Sequence, residues 1–327
     1  MKLATYKDGS RDGQLVVVSR DLGMAHYASG IATRLQQVLD DWNFLLPQLQ
    51  DLSTQLNQGR ARHAFPFDPS LCMAPLPRAY QWISAEAYLQ PLDDLRQAGA
   101  GELPPPGGGE PLLLQGASDD FLGPCDDIVV RSEEGGIDFG AGLAVVTGDI
   151  PMGVSPPAAL DGVRLVLLVN DVGLRHLGQA ELARDQAPVL GRPAAAFAPL
   201  AVTPDELGSA WQGGRVHLPV RVDWNGRKAG ACDAGAGMHF HFGQLISHLC
   251  KTRRLRAGAI VGSGRVVDSD AKAGYCSIAV QRARERLAHG EARTGYLRFG
   301  DSVRIEVKGE DEVSVFGAID QDVAGLG

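Results

Sequence analysis

Several things are scarce in this sequence, and each scarcity removes a class of function. No apolar run approaches the roughly 20 residues of a membrane helix, and the longest, Val163 to Val169, is interrupted by Arg164. The opening residues Met1 to Gly9 carry no apolar stretch of the secretory kind. The five cysteines (Cys72, Cys125, Cys232, Cys250 and Cys276) are odd in number and widely spaced, and none forms a C-x-x-C pair. Free thiols in a soluble, cytoplasmic protein are the expectation. Basic residues are in deficit, 31 against 39 acidic, for a formal net charge of −8. A free-standing nucleic-acid binder usually shows a basic face, so this balance counts against that class. There is no phosphate-binding P-loop, no G-x-S-x-G elbow and no H-E-x-x-H motif. The fragment Gly262-Ser263-Gly264 lacks the third glycine and the following helix of a dinucleotide site.

What is present is a globular chain of 327 residues, 44% apolar, with 41 Gly and 19 Pro. The length allows one large domain or two ordinary ones, and the many turn residues lean toward a β-rich fold. Asp8-Gly9 and Asp12-Gly13 followed by Leu15 to Val18 predict an opening β-hairpin. Ile31, Leu35, Val38, Leu39, Trp42, Leu45 and Leu46 recur at helical spacing, predicting a helix from about 30 to 58, divided at Pro47. The Pro-rich stretch 64–77 reads as a linker, which places a boundary near residue 78 and gives a small amino-terminal module, 1–78, and a larger domain, 79–327. A helix is predicted around 85–97, then a Pro/Gly loop at 104–109. Beyond Pro111 short strands predominate, at 112–114, 128–130, 142–147, 164–169, 216–224, 259–261, 302–307 and 314–319, with helices near 242–251 and 278–289. Without βαβ alternation the fold class is α+β, mainly β: a mixed β-sandwich or roll.

Three acidic spots could carry chemistry. Asp120 precedes Phe121 in Ser118-Asp119-Asp120-Phe121, where the residues alone allow either an Asx-turn or a hard-cation ligand. Asn170-Asp171 ends an apolar strand, where polar groups either act or cap a turn. Ile137-Asp138-Phe139-Gly140-Ala141-Gly142 alternates two glycines on one strand face, as where a ligand or another backbone comes close.

These spots, in this order, followed by 199–207, by 258–264 and by the closing Gly300-Asp301-Ser302-Val303-Arg304-Ile305-Glu306, resemble the fumarylacetoacetate hydrolase family over residues 79 to 322. The resemblance implies a mixed β-sandwich roll, a homodimer, and cleavage, decarboxylation or isomerisation of a small β-dicarbonyl or 2-oxo acid. It also implies a Mg²⁺, Mn²⁺ or Ca²⁺ ion held by carboxylates. Asp120 and Asp171 match metal carboxylates of the family. Arg175 matches an arginine that faces substrate in several members, and Arg192 stands for their lysine. Gln179 stands near a family glutamine. The middle metal ligands do not match: the two glutamates of the family pattern are Gly140 and Gly142. An acid near the start of a late helix is Val280, and Gln90-Pro91 align where relatives carry a histidine.

Glycine has no ligand atom, and a hard divalent ion needs about six oxygens. The expectation is a metal site lost or weakened, with no cofactor or at most weak Mg²⁺ or Mn²⁺ at Asp120 and Asp171. Glutamate-sized voids at Gly140 and Gly142 are expected to enlarge the pocket. Catalysis falls on Arg175, His176 and Arg192, with the arginines and backbone amides stabilising an enolate. Substrate contact falls on Phe121, Gly140, Gly142, Ser263 and Cys125. His239 and His241 share one strand face at a spacing that suits a metal or a proton relay, and His248 reads as structural. The function expected is an enzyme of the family with rewired chemistry: tautomerisation, cyclisation, decarboxylation or C–C cleavage of an enolisable small molecule. The alternatives are a weakly metal-dependent C–C hydrolase, with Asp138 or His241 recruited, and an inactive protein that binds a small molecule or a partner subunit.

Overall fold

The computed structural model describes residues 1–89, 93, 109–268 and 270–327. Two sheets dominate. The larger has eleven strands, in the order Phe65–Pro66, Met24–Tyr27, Gln14–Val18, Lys2–Tyr6, Ala201–Val202, Val163–Asn170, Ala141–Thr147, Ile260–Arg265, Trp82–Glu86 and Leu112–Gln115, with Ala196–Phe197 beside Val163–Asn170. The smaller has five: Arg227–Asp233, Pro219–Trp224, Ser302–Lys308, Ser314–Gly325 and Ile128–Val130. Neither closes into a barrel, and the whole is a mostly-sheet α+β fold.

The central strands of the large sheet are apolar on both faces because both faces are covered. In Ala141–Thr147, Leu143 and Val145 face a core shared with Val220, Val222 and Ile305 of the small sheet. Ala144 and Val146 face the opposite core, formed with Leu35, Val38 and Leu49 of the amino-terminal helices. The chain is therefore layered as helices, sheet, sheet. The opening hairpin forms as its turn residues predict, and it joins the large sheet through Lys2 opposite Val202 and Leu3 opposite Ala201.

Three local expectations change. The helical region is two helices, Leu35–Asp40 and Trp42–Asn57, broken at Asp41 rather than at Pro47. Pro47 lies inside the second helix, past its first turn, where it removes the bond its N–H would have given to Asn43 O, yet the helix continues through it to Asn57. The predicted helix at 85–97 gives way at its start to the strand Trp82–Glu86, because residues 82–84 pair in parallel with Ile260, Val261 and Gly262. Ala87 and Tyr88 are not helical either; residues 90–92 and 94–97, Gln90-Pro91 among them, lie outside the described residues, as does most of the loop at 104–109. The long strand at 216–224 is shortened to Pro219–Trp224, preceded by the separate two-residue strand Arg215–Val216.

Candidate active site

Strand Val163–Asn170 delivers Asn170 and Asp171 to one end of the large sheet, beside Gly140 and Gly142. The side chain of Asn170 fixes this corner: its Oδ1 accepts from Gly140 N at 3.0 Å, and its amide donates to Gln321 Oε1 at 3.1 Å. The alternate glycines are required by close backbone approach. A methyl group at Gly140 would lie 2.4 Å from the Asp171 carbonyl oxygen, and one at Gly142 would lie 2.2 Å from that of Gly264. The expected voids are therefore absent, because neighbouring backbone occupies the space.

Beside this corner lies a cavity of about 50 Å³, room for a carboxylate group or about one or two waters. Its wall includes Glu86, Asp171, Arg175, Gln179, Arg192 and Arg265. Arg192 Nη2 reaches both oxygens of Asp171, at 3.1 and 3.0 Å, and Ser84 Oγ donates to the same carboxylate at 2.6 Å. Arg265 Nη1 lies 3.5 Å from Glu86 Oε1, with both side chains buried. Arg175 approaches Asp138 Oδ2 through Nε at 2.7 Å and Nη2 at 2.6 Å.

Asp138 is fully buried behind the wall. It accepts from Ser277 Oγ at 2.8 Å and from Ile278 N at 2.6 Å, at the amino-terminal end of helix Ile278–His289. A carboxylate there completes unpaired helix N–H groups and complements the helix dipole.

Three guanidinium groups thus face two carboxylates in the wall. Counting Asp138 the cluster is neutral, so an anion here is favoured by directed N–H donors. Within this wall Arg192 Nε is buried without a hydrogen-bond partner.

The residues singled out in the sequence divide sharply. Asp171, Arg175, Gln179 and Arg192 come together in the wall of the cavity. Gly140 and Gly142 lie behind it as sites of strand contact. Asp120 does not join Asp171: it is exposed on the loop before Phe121. Phe121 is a core residue, its ring edge-on to Phe197 at 4.9 Å. Ser263 is buried in the sheet, its hydroxyl donating to Gly264 O at 3.0 Å. His176 points away from the cavity, with Nδ1 2.7 Å from Glu134 O and its ring edge-on to Tyr296. Cys125 is exposed elsewhere, and partial burial with Asp320 nearby pushes its thiol pKa up, against thiolate reactivity. His239 is exposed, and His241 caps helix Phe242–Leu249. Among the described residues, no three His, Cys, Asp or Glu side chains group as metal ligands would.

Glu86, Arg265, Ser84 and Glu181 went unrecognised in the sequence. Arg265 directly follows Gly262-Ser263-Gly264, and pairs across the sheet with Gly142 past a register shift. The adjacent glycines were the one available signal.

Residues 82–324 match the family profile described as "Fumarylacetoacetate (FAA) hydrolase C-terminal", and residues 1–78 match "Fumarylacetoacetase N-terminal domain 2". The chain belongs to the fumarylacetoacetate hydrolase family. Solved structures similar to this family member over 100% of both chains include three at low identity. Fumarylacetoacetate hydrolase from psychrophilic Exiguobacterium antarcticum is 17% identical with a TM-score of 0.66. Maleylpyruvate hydrolase from Sphingobium sp. SYK-6, in complex with manganese(II) ion and pyruvate, is 16% identical with a TM-score of 0.63. 5-Carboxymethyl-2-hydroxymuconate delta-isomerase from Mycobacterium smegmatis is 15% identical with a TM-score of 0.62. No curated protein matches the chain. Among the described residues, no helix is long and apolar enough to cross a membrane.

Proposed function

We propose that this family member is an enzyme for a small enolisable oxo-acid or β-dicarbonyl, and that arginines take the part of the divalent ion. The observation that carries the reading is the pairing of Asp171 with Arg192 and Ser84. Asp171 matches a metal carboxylate by resemblance, yet its oxygens face a guanidinium and a hydroxyl. With glycine at 140 and 142 and Asp120 exposed elsewhere, the donor set does not fit a hard divalent ion.

In this reading the substrate's carboxylate enters the cavity and accepts from Arg192 Nε–H. The enolate oxygen formed next is stabilised by Arg265 and Arg175, whose fixed guanidinium groups need little reorganisation as charge develops. Glu86, whose partner stands at 3.5 Å, is the carboxylate left for proton transfer. The chemistry supplied is enolisation, and with it tautomerisation, decarboxylation or C–C cleavage. Homodimerisation belongs to the same proposal, on the family resemblance alone.

Acetylpyruvate, a 2,4-dioxo acid, tests the reading through loss of its enol absorbance. Turnover that survives EDTA and falls at least tenfold in Arg192→Lys supports it, since lysine cannot reproduce the fork of donors. Turnover only with added Mn²⁺ makes the protein a conventional metal-dependent member. The small cavity favours a second reading, in which the protein binds an oxo-acid end group without turning it over. Calorimetric binding without enol loss would establish that instead.

A further inference from the structure

Arg192 does not reach Asp171 from a regular element. It follows a turn at 189–192, closed by Arg192 N donating to Val189 O at 3.2 Å. That turn is held from below by one carboxylate. Glu181 Oε1 accepts from Val189 N at 3.0 Å and Leu190 N at 2.8 Å, and its Oε2 accepts from Gly191 N at 3.0 Å. Glu181 is only 8% exposed, although Val189 and Leu190 beside it are 71% and 68% exposed. The turn is pressed onto helix Arg175–Leu182, where a methyl group on Gly191 would come within 2.6 Å of Gly178 backbone. Gly191 O in turn accepts from Leu174 N at 2.9 Å.

A buried carboxylate that gathers successive amide N–H groups fixes backbone direction, as an anion does in a concave turn. Here the direction it fixes is that of the next residue, Arg192. We propose that Glu181 is the positioning residue of this site: it touches no ligand, and it seats Arg192 against Asp171. The inference rests on the reading of the cavity given above. Burial acts to raise the Glu181 pKa, but the amides of Leu190, Gly191 and Val189, with Arg184, hold it below the ordinary carboxylate value.

The test combines two measurements on wild type, Glu181→Gln, Arg192→Ala and the double variant. One is calorimetric binding of pyruvate and of oxalate. The other, without any ligand, is NMR-detected hydrogen exchange of Arg192 Nε–H. Glutamine keeps the shape of the side chain but presents an NH₂ group to at least one amide donor. The expected result is at least tenfold weaker oxalate binding in each single variant. The double variant should be no weaker than the worse single one, because both act through one contact. Arg192 Nε–H should exchange at least tenfold faster in Glu181→Gln. Unchanged exchange in that variant overturns the proposal, as do binding losses that simply add. If wild type binds neither anion, or Arg192→Ala binds like wild type, the reading of the cavity fails, while exchange still decides the role of Glu181. Should Glu181→Gln not fold, Glu181→Asp, which keeps the charge but shortens its reach, is read by the same exchange measurement.

Discussion

The Arg192 guanidinium meets both carboxylate oxygens of Asp171, at 3.1 and 3.0 Å, with each side chain about nine-tenths buried. Removing Arg192 leaves the buried Asp171 carboxylate with Ser84 as its remaining side-chain donor. Arg192→Met is expected to lower stability by about 3–5 kcal/mol, the usual cost of breaking a buried pair. A fall in the urea midpoint at unchanged slope would confirm it, and a change under about 1 kcal/mol would show that water reaches the pair.

Gly142 has no room to regain a side chain. Gly142→Ala is expected to cost about 1–3 kcal/mol from overpacking, because the new methyl would meet the Gly264 carbonyl. Replacing both Gly140 and Gly142 by glutamate should therefore destabilise the fold without creating a Mg²⁺ site. Tight, stoichiometric Mg²⁺ binding by that double variant, seen by calorimetry, would contradict the close strand contact described here.

Acid stability carries a signature of Glu285. Burial would raise its pKa, but the Thr294 hydroxyl, the amides of Thr294 and Arg293, and Gln281 together hold it at about 2, below the ordinary 4.5. A depressed carboxylate stabilises the fold above its unfolded pKa and loses that contribution as pH falls through its folded one. Wild-type stability should thus decline between pH 4.5 and about 2, and Glu285→Gln should flatten the decline over that window. Parallel curves for the two proteins would remove Glu285 from the explanation.

Thiol accessibility is simple to check. Of the five free cysteines, Cys125 is exposed and the other four are buried. Native protein should react with a thiol reagent at one site, slowly because the Cys125 pKa is raised, and at five sites after unfolding. Cys125→Ser should abolish the native reaction. More than one fast native thiol would mean that the buried set opens readily.

The strands were legible where apolar residues ran together: 164–169 was read almost to its ends, since burial on both faces leaves no other use for such a run, whereas the strand read as 314–319 runs on to Gly325 through the alternately exposed Asp320 and Asp322. The helix break at Asp41 was not, because proline is a visible breaker while a backbone turn at an aspartate has no unique spelling. At the site, Asp171, Arg175 and Arg192 could be picked out by resemblance. Their partners could not. Arg265, Glu86 and Glu181 are ordinary charged residues in sequence, and only long-range strand pairing and the turn at 189–192 bring them to the site. Asp120 and His176 show the converse error: each stands next to a meaningful residue in sequence, and the local backbone turns its side chain elsewhere.

The large sheet runs without interruption from the opening hairpin into the site-bearing strands, through Leu3 and its neighbour Ala201. The amino-terminal piece therefore shields a row of backbone hydrogen-bonding groups. Cut away, it would leave Ala201–Val202 as a raw apolar margin, open to any chain able to add a strand. A shortened form lacking residues 1–78 would gain a sticky rim, and its fate in a crowded solution would be set by self-association before any question of chemistry arose.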